Sequence, residues 1–287
     1  MLRKVTDVFK LRIGFAIMLC AVAGYAVTPG EAIPAWKLVV MALAVFLSSA
    51  SAGAFNQYAE RDLDARMKRT SSRPFVTGAF QAGWVWLSTI GFILLLAVGA
   101  AALVLNAWVA LYVFLGAFVY GIVYTVWLKQ RSVWNIVVGG LAGSFAVLAG
   151  AAAIDPALVM APVPAILAVV LFLWTPPHFW SLATALHKDY AAAGVPMLPV
   201  VVGDAVAARI ILAHTIVLVA VSLVPFAFGL GWIYLAGAAV GGALFIKRSI
   251  ELVRDPGPKR AMTNFHASLI QLGLVLMAAI VDGSLNL

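Results

Sequence analysis

Apolar runs of roughly twenty residues alternate with short polar stretches along this chain. A helix crosses a hydrocarbon core about 30 Å thick in about 20 residues, so each run reads as a spanning helix. Nine are expected, over 13–29, 35–56, 82–105, 107–127, 133–153, 157–186, 206–228, 231–247 and 262–282. The runs are continuously apolar rather than alternating, which argues against a β-barrel. Two divisions rest on single turn signals: Asn106, and the Phe228-Gly-Leu-Gly-Trp232 segment. Pro176 and Pro177 are expected to kink or break the sixth run, because proline removes an intrahelical donor and clashes with the preceding turn.

Composition supports the same class. Of 287 residues, 64% are hydrophobic and 10% charged, a balance that fits a polytopic membrane protein. Basic residues then orient it. With the N-terminus inside, the inner segments 1–12, 57–81, 128–132, 187–205 and 248–261, with their flanking edges, hold every Lys and Arg except Lys37, while Glu31, Asp155 and Asp282 lie outside. This is a positive-inside pattern and gives a cytoplasmic N-terminus. The formal charge of +8 is mostly this topology signal, and it favours anionic lipid and anionic substrates; short basic loops between spans argue against nucleic-acid binding. The N-terminal stretch is read as a retained first span rather than a signal peptide. Cys20, the lone cysteine, reads as a small core residue. Gly139-x-x-x-Gly143 and Gly237-x-x-x-Gly241 are expected to mark close helix contacts. Residues 1–287 are read as one domain. Comparable polar loops at 57–81 and 187–205 suggest a duplicated unit (about 13–127 and 133–247, with 262–282 added) facing one central cavity.

Chemistry concentrates in Asn56-Gln-Tyr-Ala-Glu60-Arg61-Asp62-Leu-Asp64-Ala-Arg66-Met-Lys68-Arg69-Thr-Ser-Ser-Arg73-Pro74. Asn56, Glu60 and Asp64 recur every four residues, which puts three oxygen ligands on one helical face. Hard oxygen ligands suit Mg²⁺, and Arg61, Lys68, Arg69 and Arg73 beside them suit a diphosphate. Asp62 falls about 200° from Glu60 on a helical wheel and is expected to pair with Arg61 or Arg66, or to ligate if the helix unwinds. Acids at the end of an apolar span are costly and usually functional. Metal, cations and an apolar pocket are what ionisation of an allylic diphosphate requires. The second polar loop adds Asp189 as a further metal ligand and Lys188 beside it. Lys129 and Arg131 supply counter-charge at another boundary. His178, after the proline pair, and Asn135, at the start of the fifth run, are candidates to face the cavity.

Four segments carry a family resemblance: Asn56 to Pro74, Tyr124 to Gly143, Trp174-Thr-Pro-Pro-His178-Phe-Trp180, and Lys188-Asp-Tyr-Ala-Ala-Ala-Gly-Val-Pro-Met-Leu-Pro-Val200. Their order and spacing resemble the UbiA-type intramembrane prenyltransferases, and the last two resemble the heme O synthase (protoheme IX farnesyltransferase) branch. The resemblance implies an all-α bundle of nine spans around a central cavity. It implies transfer of a farnesyl group from farnesyl diphosphate to the 2-vinyl group of heme B, giving heme O, with Mg²⁺ as the metal. Asn56, Glu60, Asp64 and Asp189 would hold the metal, and Asn56, Glu60, Asp64, Asp189 and Lys188 form the catalytic set. Arg61, Lys68, Arg69, Arg73, Lys129 and Arg131 would bind diphosphate, and His178 and Asn135 would contact heme. An inner-membrane location, with the site toward the cytoplasm, and partners among heme A synthase or terminal-oxidase assembly proteins follow from the same likeness. Two departures stand out: Glu60 occupies a position that is Asp in many superfamily members, and Ala193 stands where the second motif usually has its second acid. The competing readings are a prenyltransferase with another aromatic or tetrapyrrole acceptor, and a cation-coupled transporter using Glu60, Asp64 and Asp189.

Overall fold

The computed structural model describes residues 1–285. Short helices begin and interrupt an otherwise regular series of long ones. In chain order the α-helices are α1 (Leu2–Val8), α2 (Leu11–Ala26), α3 (Ala35–Ala59), α4 (Arg61–Asp64), α5 (Trp84–Val104), α6 (Ala107–Phe118), α7 (Asn135–Gly139), α8 (Leu141–Ile154), α9 (Pro162–Ala185), α10 (His187–Ala192), α11 (Leu198–Val202), α12 (Asp204–Leu223), α13 (Trp232–Arg254) and α14 (Pro258–Leu285). α6 runs on as a π-helix over Val119–Leu128.

Among the described residues eight segments are long and apolar enough to cross a membrane, α7 and α8 counting as one, which makes this a multi-pass membrane protein. α2 is apolar but has 16 residues, about 24 Å of helix at 1.5 Å per residue. The two uncertain divisions fall where the turn signals put them. Asn106 caps α6, its side-chain oxygen accepting from the Trp108 and Val109 amides at 3.0 Å, and Gly229, at φ +107°, follows the 3₁₀ turn Val224–Phe228.

The long helices close a ring. Each of α2, α3, α5, α6, α8, α9, α12, α13 and α14 packs on the next, α14 returns to α2, and α2–α8 and α9–α14 contacts fill the middle. Closeness depends on glycine. A Cβ on Gly150 would collide with the Ala21 carbonyl, and one on Gly24 with the Val147 carbonyl, so α2 and α8 touch backbone to backbone. Of the two expected motifs, Gly237 and Gly241 do face α14, against Leu274 and Gln271, whereas Gly139 makes room for the Tyr124 ring. Cys20 is buried in the core.

Of the kink or break expected at Pro176-Pro177, the break does not occur: α9 continues from Pro162 to Ala185 with both prolines inside. Hydroxyls on α9 bond to its own carbonyls around the pair, Thr175 to Leu171 O (3.0 Å) and Ser181 to Pro177 O (2.6 Å). Neighbouring helices then hold it in place.

At one end of the bundle lie α1, α4, the 65–83 loop, the end of the π-helix, α7, α10 and α11. A small apolar core of Leu63, Met67, Ile136, Ala183, Tyr190, Val195 and Met197 joins the two polar loops there. A second, of Val8, Ala54, Phe75 and Ile90, is flanked by aromatic rings, with Phe75 edge-on to Trp86 at 5.2 Å. Thus two loops 120 residues apart in sequence are fixed against each other: the Arg69 amide donates to Asp189 Oδ2 at 3.2 Å.

Candidate active site

α3 ends at Ala59, and Glu60 (φ −95°, ψ 8°) leaves helical geometry before α4 resumes. Amide bonds nevertheless step across the joint, Glu60 to Asn56 O (3.0 Å) and Asp64 to Glu60 O (2.7 Å), so the three ligand positions keep one face. All three are buried. Asp62 lies on the other side, exposed, with Arg61 at 4.0 Å, as the wheel indicates.

Each buried oxygen group faces a cation. Lys10 Nζ donates to Asn56 Oδ1 at 2.5 Å. Lys129 Nζ donates to Glu60 Oε2 at 2.5 Å. Arg73 donates to Asp64 Oδ2 at 2.5 Å. Asn56 Nδ2 in turn donates to Thr125 Oγ1 at 2.9 Å, which fixes the orientation of the amide. The two carboxylates can be buried because each is paired with a cation.

The π-helix makes half of this cluster. Its wider turn shows in the i, i−5 spacing of Thr125 Oγ1 to Tyr120 O (2.8 Å) and the Lys129 amide to Tyr124 O (2.9 Å). π-segments occur mostly as single turns at functional sites; ten residues of it turn Tyr120, Tyr124, Thr125 and Lys129 toward the α3–α4 face. Tyr120 and Tyr124 stack with centroids 5.6 Å apart and planes 16° off parallel. Lys10 lies 5.6 Å from the Tyr120 centroid and Lys129 5.7 Å from that of Tyr124. Two aromatic faces and two ammonium groups therefore share one wall, a setting that attracts cations and anions at adjacent points.

Lys10, Tyr120, Tyr124 and Thr125 were not singled out as site residues from the sequence. Lys10 reads there as one more membrane-boundary lysine. The signal available was Lys10 itself, a basic residue immediately before an apolar span, but nothing local ties it to Asn56.

Other sequence-predicted residues sit elsewhere. Arg61 bonds the Tyr58 carbonyl at 3.0 Å and covers its ring. Arg131 caps the π-helix end through Val126 O and Trp127 O, at 3.2 and 3.1 Å. Lys68 and Lys188 are exposed. The structure therefore brings Arg73 and Lys129, not Arg61, Lys68 or Arg131, into the buried cluster. Asp189 borders a cavity of about 450 Å³ together with Leu186, His187, Lys188 and Asp204, in which His187 Nδ1 and Asp204 Oδ1 are 2.8 Å apart. Burial raises the Tyr190 phenol above its ordinary value, with the Arg69 charge opposing it. Asn135 donates to Lys129 O at 3.2 Å, and its Oδ1 is buried without a partner.

His178 belongs to a separate polar group between α9 and α14. Its ring is sandwiched between Trp174 (4.1 Å) and Phe265 (4.4 Å). Nδ1 is 2.7 Å from Ser268 Oγ, whose single proton goes to Phe265 O at 2.6 Å. The serine must then accept from histidine. Nδ1 therefore carries the proton and Nε2 keeps its lone pair.

Among the described residues no three His, Cys, Asp or Glu side chains converge as a metal site. The donor set nevertheless fits a hard cation that shares its shell with substrate. Asn56, Glu60 and Asp64 are oxygen donors, and Glu60 Oε1 is buried with no partner. Mg²⁺ commonly takes one or two carboxylates and completes its shell with phosphate oxygens and water.

The comparisons agree with this geometry. A protein named protoheme IX farnesyltransferase 2, from Paramagnetospirillum magneticum, is 59% identical over 98% of this chain and 97% of its own. A solved digeranylgeranylglyceryl phosphate synthase superposes at TM-score 0.79 with 19% identity, covering 99% of this chain and 98% of its own. A UbiA homologue from Archaeoglobus fulgidus bound to DMAPP and Mg²⁺ superposes at 0.65 with 15% identity, covering 95% and 99%. The UbiA prenyltransferase family description matches residues 17–272, a span that contains every residue of the buried cluster except Lys10, and the chain belongs to that family.

Proposed function

We propose that this prenyltransferase moves a farnesyl group from farnesyl diphosphate to the 2-vinyl group of heme B, forming heme O and diphosphate. The observation that carries the choice of acceptor is the near-full-length likeness to a protein named protoheme IX farnesyltransferase 2. The transporter reading does not account for it, nor for three cations packed on three oxygen groups at one end of the bundle.

The reaction balances as heme B, farnesyl diphosphate and water going to heme O and diphosphate. The allylic C–O bond breaks and its electron pair leaves on the diphosphate. The vinyl π-electrons form the new C–C bond. Water oxygen adds to the porphyrin-stabilised cation and a proton departs. Asn56, Glu60 and Asp64, with Asp189 on the opposing loop, would hold Mg²⁺, which neutralises charge on the leaving diphosphate. Arg73 and Lys129 lie beside those ligands and add fixed positive charge where the leaving group develops its own. The stacked Tyr120–Tyr124 faces lie next to the ammonium groups, where an allylic cation gains from the ring quadrupoles. The apolar helices around them exclude water until alkylation is done. His178, with Nε2 unprotonated, is suited to meet heme iron or a donor near it. The cavity beside Asp189 and Lys188 opens toward the same end. By the charge pattern this end faces the cytoplasm, with the protein in the inner membrane and α2 as the ninth span.

The test is turnover in detergent with farnesyl diphosphate, heme B and Mg²⁺, with mass spectrometry of the extracted heme. A farnesylated, hydrated heme that vanishes with EDTA is expected. Unmodified heme from folded protein would refute the reading and send the search to other aromatic acceptors.

A further inference from the structure

The buried cluster does not balance in charge. Lys129 is paired with Glu60 and Arg73 with Asp64, but Lys10 faces only neutral groups: Asn56 Oδ1 at 2.5 Å and Tyr120 Oη at 3.1 Å. Three cations thus meet two carboxylates. A half-buried ammonium whose hydrogen-bond partners are both neutral is under-compensated, and a charge so placed suits an anionic ligand.

The fold holds Lys10 in place at a further cost. It sits between α1 and α2 at φ 49°, ψ 45°, and it is the one non-glycine residue with positive φ among those described. An L-residue there is strained, so the surroundings must hold it. They do. Val8 is wholly buried, Phe9 packs on Trp86, and Gln57 donates to Asp7 O at 2.7 Å. Gly53 leaves room for the lysine stem, since a Cβ there would lie 3.3 Å from Lys10 Cβ and Cδ. The N-terminal segment is thereby built into the site, and a strained backbone carries an unmatched charge to the first metal-ligand position.

We infer that Lys10 is a catalytic residue that grips the diphosphate of the prenyl donor, supplying the surplus positive charge that the Glu60–Lys129 and Asp64–Arg73 pairs do not. This rests on the prenyl-transfer reading above. The ammonium already lies within a hydrogen bond of Asn56, so a diphosphate bound at the Asn56–Glu60–Asp64 face would come within its reach. In this role the lysine exchanges a neutral acceptor for an anionic one, and the anion in turn favours its charged form.

The test is binding of inorganic diphosphate in Mg²⁺ buffer by calorimetry, on full-length protein in detergent, without heme or turnover. Lys10→Met should weaken binding by about tenfold or more, the 1.4 kcal/mol of one lost charge-assisted contact, while Lys10→Arg should stay within about threefold of wild type. Should Lys10→Met not elute as folded protein, Lys10→Gln, which keeps a donor and removes the charge, replaces it with the same expectation. Unchanged affinity in the folded neutral variant would overturn the proposal and leave Lys10 as a mere partner for Asn56. If wild type itself failed to bind inorganic diphosphate, the prenyl-transfer reading would fall first.

Discussion

Glu60 and Lys129 are the sharpest place to perturb this protein, because their burial is unequal. The Glu60 side chain is 2% exposed and that of Lys129 12%. Removing the lysine (Lys129→Met) strands a carboxylate that already has one oxygen without a partner and no route to water. That should cost about 3–5 kcal/mol, the usual penalty for a buried charge left unpaired. Neutralising the acid (Glu60→Gln) leaves an amide acceptor and a flexible ammonium near the bundle end, which can swing toward solvent. The expected cost is about 1–3 kcal/mol, a charge-assisted bond reduced to a neutral one. The double variant Glu60→Gln/Lys129→Met should lose less than the two single losses added together, by a coupling of about 2–3 kcal/mol between the sites, and so be no less stable than Lys129→Met alone. Unfolding free energies from denaturant titration in mixed micelles measure this cycle. Turnover separates stability from chemistry: all three variants should lose about a hundredfold or more, including the double variant, whose stability loss is smaller than the sum of the singles. Simple additivity, or a Glu60→Gln protein less stable than Lys129→Met, would refute the account of unequal burial. Full turnover in the double variant would refute a role for either residue in the reaction.

Three further outcomes follow from the packing. Thr125→Val removes the acceptor of Asn56 Nδ2 and should lower turnover about tenfold, with Thr125→Ser near wild type, as one buried hydrogen bond is worth about 1–3 kcal/mol when its partner is stranded; steady-state kinetics decide it. Ser268→Ala takes away the acceptor that fixes the His178 tautomer and should cost about 1–2 kcal/mol of stability and change the optical spectrum of added heme, which a purely structural serine would leave alone. Gly150→Val drives a side chain into the Ala21 backbone and should abolish monodisperse elution, whereas Gly99→Ala, which meets nothing, should behave as wild type in the same chromatography.

The helices were legible because the bilayer leaves the chain little choice: with no water to satisfy backbone groups, twenty apolar residues form a helix wherever they occur. Asn106 and the Phe228–Trp232 turn marked the two subtle divisions for the same local reason, an N-cap and a left-handed glycine. The spacing of Asn56, Glu60 and Asp64 was likewise readable, since a helical face is a property of i, i+4 neighbours, and it survives the joint at Glu60. Composition alone also set Cys20 in the core.

What only the tertiary structure decided is which charges meet. Arg61, Arg73 and Lys129 look equivalent along the chain, yet Arg61 turns to Tyr58 while the other two neutralise Asp64 and Glu60. Local sequence cannot rank them, because Lys129 meets Glu60 from 69 residues away and Arg73 reaches Asp64, nine residues back, only through the fold of the intervening loop. The π-helix that aims Lys129, and the continuity of α9 through two prolines, were invisible for a related reason: both are local departures from ordinary helix cost that neighbouring helices offset. Lys10 is the extreme case. As sequence it is a boundary lysine; in the fold it is a strained residue holding the one unmatched charge of the cluster, because the N-terminal segment docks on α3 and the loop that follows it.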